Sequence, residues 1–98
     1  MSGSPRSSAD LDPRRKRLLY RAWHRGMREM DLIMGKFADA EITGLSEVEL
    51  ADFEALIDAQ DQDIFSWISE TKPLPAEYDT PLFARMKGFH DDGRGLSA

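Results

Sequence analysis

Apolar residues recur every three or four positions from Leu18 to Phe89, in runs punctuated by glycine, proline or a capping residue. That spacing predicts helices and no strand. The most informative interruption is Gly26, which divides two otherwise continuous helical patterns; glycine is the residue that takes positive φ or allows close backbone approach without steric cost. His24 and Arg25 just before it are cations suited to a helix C-terminus, and Glu29 just after it is an anion suited to a helix N-terminus. Arg25 and Glu29 are spaced to pair across the turn, so the segment reads either as a capped corner or as a surface for a partner.

The remaining elements follow from the same signals. Asp12-Pro13 predicts an N-cap with proline at the first helical position. A first helix then runs to about His24, with Leu18, Leu19, Ala22 and Trp23 as its buried stripe. A second runs from Met27 to about Ala40, with Met27, Met30, Ile33, Met34 and Phe37 facing the core. Ser46-Glu47-Val48-Glu49 predicts a capping box, and Leu45 with Leu50 a hydrophobic staple, at the start of a third helix reaching about Gln60. Asp61 is placed to cap a fourth helix that ends before Lys72-Pro73. Phe65 and Trp67 lie on different faces of it, so one of them belongs at a rim or a partner surface. A fifth helix begins at Pro75 or at Pro81; the later start is favoured, because an internal Pro81 would break the helix. The expected fold is all-α, a small bundle of about five helices spanning residues 12–90, with disordered tails at 1–11 and 91–98.

A chain of 98 residues supports one core and no separate catalytic domain. Without cysteine it has no disulfide framework and no thiol nucleophile, which fits a reducing compartment. The histidines, His24 and His90, are not spaced as metal ligands, and no two carboxylates are singled out as an acid–base pair. Seven of the thirteen Lys/Arg residues lie between Arg14 and Arg28 with no acid among them, while Asp39 to Asp63 holds nine acids and no base. So sharp a dipole suits steered docking. The net charge of −5 argues against a protein that coats nucleic acid. No run is long and apolar enough to cross a membrane or to serve as a secretory signal, so the expectation is a soluble intracellular protein. A binding module is favoured over a catalyst.

Arg25-Gly26-Met27-Arg28-Glu29, followed by Met30-Asp31 and an apolar helix to Phe37, resembles the Arg-Gly-x-x-Glu signature of the SdhE-type flavinylation and assembly factors for succinate dehydrogenase. The likeness continues through Ser46 to Ile57 and into Asp61-Gln62-Asp63-Ile64-Phe65-Ser66-Trp67, similar to that family's Asp-x-x-(apolar)-Phe-x-Trp segment. The resemblance implies a helical factor that binds the flavoprotein subunit of succinate dehydrogenase, or of the related fumarate reductase, and promotes covalent attachment of FAD to it. It implies a partner-binding surface at Arg25, Gly26 and Glu29, with Arg28, Asp31 and His24 beside them. At His24 relatives often carry a basic residue, so charge at this position becomes dependent on pH. FAD on this reading belongs to the partner, with none bound stably by the factor. The factor is expected to be a monomer in the bacterial cytoplasm, without nucleic acid and without insertion in a membrane. The competing reading is an antitoxin-like or nucleic-acid-binding helical module that uses Arg14 to Arg28 against phosphates; a flavin-binding enzyme is a third.

Overall fold

The structure is a computed structural model that describes residues 10–91. Five α-helices follow one another: α1 (Pro13–Trp23), α2 (Arg28–Glu41), α3 (Glu47–Ile57), α4 (Asp61–Ile68) and α5 (Pro81–Asp91). Short 3-10 turns at Ile42–Gly44 and Ala76–Tyr78 lie between them. Among the described residues there is no strand. The expected tails lie outside the described residues, apart from their inner edges. Leu11, expected in the tail, is buried in the core, and α5 continues through Asp91.

Local chemistry accounts for most helix ends. The Asp12 carboxylate accepts the Arg15 N–H at 3.2 Å ahead of Pro13. Both halves of the Ser46–Glu49 capping box form, at 3.2 Å and 2.9 Å, and Leu45 and Leu50 are both buried there. Thr80 accepts the Phe83 N–H at 3.1 Å, starting α5 at Pro81 as the proline pattern predicts. α4 ends in a Schellman turn: Thr71 N–H donates to Ser66 O at 2.9 Å and Glu70 N–H to Trp67 O at 3.3 Å. Glu70 holds the left-handed position usually given to glycine, with φ 62°, and its carboxylate pairs with Lys87 of α5 at 2.8 Å.

α1 and α2 form an antiparallel pair, α3 lies against α1 and α5, and α5 also touches α2. Phe37 of α2 is at the centre, edge-to-face with Phe53 of α3 and with Phe89 of α5, each at 5.7 Å between ring centroids. The methionines Met30, Met34 and Met86 are fully buried, so the stripe of α2 is core from Met30 onward, whereas Met27, expected as its first helical core residue, precedes the helix and is partly buried. Of the neighbouring aromatics on α4, Trp67 is buried against Tyr78 and Phe65 is 40 % exposed.

Candidate partner-docking site

The corner after α1 is built from three chain segments. α1 stops at Trp23, and His24 is its C-cap, with its N–H on Arg21 O at 3.4 Å. Met27 is the N-cap of α2 and has no side-chain cap bond. The first turn of α2 carries Glu29 and Asp31, whose charge suits the positive end of the helix.

Arg25 differs from the expectation of a side chain offered to a partner. Its side chain is 10 % exposed, and each of the three nitrogens of its fork donates a hydrogen bond. Nε donates to Asp61 at 2.7 Å, Nη1 to Ile57 O at 2.6 Å and Nη2 to Ala59 O at 2.9 Å. Its backbone N–H donates to Asp31 at 2.6 Å. There is no pair with Glu29 across the turn, because Asp61 takes that place. Arg25 is a brace that ties the α3–α4 turn to the corner, and Asp31 is the lock on its backbone.

The same brace explains two shifted boundaries. α3 ends at Ile57, short of Gln60: Ala55 O and Leu56 O accept from the Asp58 and Ala59 N–H groups, and the last carbonyl, Ile57 O, is satisfied by Arg25 rather than by further helix. Asp61 lies inside α4 and Gln60 occupies the N-cap position without a side-chain bond. The Asp61 carboxylate cannot fold back on its own helix because it accepts from Arg25 and, at 2.9 Å, from Gly26 N–H. Asp61 is thus the residue at this site that sequence reasoning placed elsewhere. Its partner is far along the chain, and no local spacing marks it.

Gly26 itself is exposed, and its φ lies outside the left-handed region. A methyl group there would sit 3.4 Å from Asp61 Oδ2, which is ordinary contact. The fold therefore does not demand glycine at this position. Gly35 is the contrary case: a Cβ would lie 2.4 Å from the Trp23 ring, whose N–H is held by Asp39 at 3.2 Å. Sequence reasoning passed over Gly35, although a glycine inside an apolar helical stripe is a signal of close packing.

What remains available at the corner is Gly26, Arg28, Glu29 and His24. Arg28 and Glu29 are exposed, and neither side chain has a partner among the described residues. His24 Nδ1–H donates to Tyr20 O at 2.7 Å, and its ring stacks on Tyr20 with centroids 3.8 Å apart. Beside Gly26 opens a pocket of about 320 Å³ with Trp23, Met27 and Leu32 as apolar wall and Arg28 and Asp31 at its polar edge. Among the described residues no cluster of His, Cys, Asp or Glu is arranged to hold a metal ion. No helix there is long and apolar enough to cross a membrane.

The family described as "Flavinator of succinate dehydrogenase" matches residues 16–90, nearly the whole bundle. The chain is 36 % identical over 85 residues to the FAD assembly factor SdhE of Acetobacter pasteurianus, covering 87 % of this chain and 78 % of that protein. It is 38 % identical over 84 residues to the mitochondrial succinate dehydrogenase assembly factor 2-B of Drosophila persimilis, covering 84 % of this chain and 54 % of the fly protein. To the mitochondrial succinate dehydrogenase assembly factor 2 of Dictyostelium discoideum it is 40 % identical over 74 residues, 76 % of this chain and 52 % of that one. The chain spans about half the length of these mitochondrial relatives. By the extent of these matches, the chain belongs to the family of flavinators of succinate dehydrogenase.

Proposed function

We propose that this protein docks through the Gly26 corner on the flavoprotein subunit of succinate dehydrogenase, or of the related fumarate reductase, and promotes covalent attachment of FAD to it. The observation that carries the reading is the exposed Gly26, which the fold does not require and which is followed closely by Arg28 and Glu29, both without a side-chain partner among the described residues. A glycine in that setting lets a second backbone approach closely. Arg28 and Glu29 then supply charge-assisted hydrogen bonds of both signs. Arg25, Asp31 and Asp61 contribute by holding the corner rigid, so that little ordering remains to be done on docking.

The factor works by positioning. It holds the flavoprotein in the conformation in which its own side chain and its own FAD react, and the bond is made in the partner. It stably binds no FAD itself and acts in the bacterial cytoplasm. The nucleic-acid reading loses support from the ion pairs of α1 and the corner after it, which withdraw Arg14, Arg15, Arg21 and Arg25 into contacts within the fold.

The test is co-expression with a succinate dehydrogenase flavoprotein subunit, reading covalent flavin by in-gel fluorescence. Covalent flavin is expected to rise with the wild-type factor and to stay at the factor-free level with Gly26→Arg, whose circular dichroism should remain that of the folded bundle. A folded Gly26→Arg protein that supports full flavinylation would overturn the reading.

A further inference from the structure

The basic run from Arg14 to Arg25 is divided by the fold into two sets. Arg14 is held by Glu47 and Glu54, Arg15 by Asp12, Arg21 by Asp58 and Arg25 by Asp61. Lys16 and Arg17 are exposed, and their side chains have no ion-pair partner among the described residues. On a helical wheel Lys16, Tyr20, His24 and Arg17 fall within an arc of about 100°. Leu18, Leu19, Ala22 and Trp23 occupy the opposite side and are buried. The stripe runs directly into Arg25-Gly26.

Tyr20 distinguishes this stripe from an ordinary solvated face. It is 59 % exposed, yet its ring is fixed by the His24 stack, and His24 is tied in turn to the Tyr20 carbonyl. An exposed aromatic held in one orientation, flanked by cations that form no ion pair among the described residues, is a preformed contact surface. The chain as a whole carries a net charge of −5. An acidic partner is therefore repelled by most of the molecule and attracted along this stripe, which selects orientation as well as rate.

We propose that Lys16, Arg17, Tyr20 and His24 form a second, steering part of the docking interface that receives an acidic surface segment of the flavoprotein subunit. This rests on the function proposed above, extending its surface along α1. Lys16 and Arg17 accelerate encounter, and the Tyr20–His24 stack lengthens the life of the complex once Gly26 is seated. A nucleic acid is the poorer fit, since two exposed cations, with Glu54 within electrostatic reach of Arg17, neutralise few phosphates on an acidic protein.

The experiment is stopped-flow association with the FAD-loaded flavoprotein subunit across an ionic-strength series. It compares wild type, K16E/R17E, Tyr20→Ala and Gly26→Arg, each checked for folding by circular dichroism. K16E/R17E is expected to slow association about tenfold at low ionic strength, with the difference closing as salt is added. Tyr20→Ala is expected to speed dissociation about tenfold with association unchanged. If K16E/R17E and Tyr20→Ala match wild type at every ionic strength while Gly26→Arg abolishes binding, the steering surface is wrong and the docking corner stands. If wild type does not bind the flavoprotein, both fall. Salt-steep binding of a DNA duplex that K16E/R17E removes, with flavoprotein kinetics unchanged, would also overturn the proposal.

Discussion

At Gly35 the indole of Trp23 lies where a side chain would begin, and the ring has no freedom to retreat because Asp39 holds its N–H. Two effects of Gly35→Ala oppose each other. Replacing glycine within a helix gains about 1 kcal/mol from propensity, while overpacking a fixed ring costs about 1–3 kcal/mol. With contacts of 2.4, 2.5 and 2.8 Å to three atoms of one ring, overpacking wins. Gly35→Ala is expected to lower stability by about 1–2 kcal/mol in urea unfolding, with loss of the native tryptophan fluorescence environment. At Gly26 the same substitution meets one carboxylate oxygen at ordinary distance and leaves stability within about 0.5 kcal/mol. Gly26 divides two helical patterns and stands out in the sequence, whereas Gly35 lies within one and does not. What separates them is Trp23, and periodicity gives the face of a side chain, not the atom of another helix that it meets.

The clasp between the corner and the start of α4 shows what an element boundary leaves unsaid. Capping residues located the starts of α1 and α3 from the sequence, because each cap bonds within its own turn, and Pro81 located that of α5, where Thr80 supplies the cap. Asp61 carries the same local signal, yet its carboxylate serves a guanidinium thirty-six positions earlier, so α4 begins without a side-chain cap. Arg25 and Asp61 side chains are 10 % and 14 % exposed. Removing one partner leaves a buried charge and, for Arg25, two orphaned carbonyls. Arg25→Ala is expected to cost about 3 kcal/mol, and Arg25→Lys nearly as much, since an ammonium cannot span three acceptors set around a planar fork. A double-mutant cycle with Asp61→Ala should give a coupling of about 1–3 kcal/mol in urea unfolding. Coupling near zero would mean that the α3–α4 turn is held by its apolar contacts alone. Flavinylation should fall in these variants in step with the unfolded fraction, unlike Gly26→Arg, which is expected to fail while folded.

Over the whole molecule, the charge dipole visible in the sequence is largely spent on assembly. Basic α1 and acidic α3 face each other, and the hydrogen bond from Arg14 holds the Glu54 carboxyl below its usual range. Glu49 is likewise lowered by the Ser46 N–H and by Arg85. Such carboxylates contribute stability above their ordinary values of about 4–4.5, and it is lost as pH falls through their lowered native values. His90 works in a higher window. It is buried, Nε2–H donates to Ile33 O at 2.8 Å across α5 and α2, and Nδ1 has no hydrogen-bond partner among the described residues. Burial pushes its pKa down, opposed by the Ile33 hydrogen bond and Asp91 and reinforced by Lys36. Above its ordinary value of about 6.5 the imidazole is neutral in both the folded and unfolded chain, so stability is independent of its titration. Below that, the unfolded chain takes up a proton that the native state refuses. Stability falls by about 1.4 kcal/mol per pH unit until the lowered native value is reached. His90→Gln removes the titrating group, so urea midpoints measured from about pH 7 to pH 5 should lose most of this slope whatever their absolute level. Equal slopes in the two proteins would show that the buried imidazole is charged in the native state, with a partner for Nδ1 supplied on protonation.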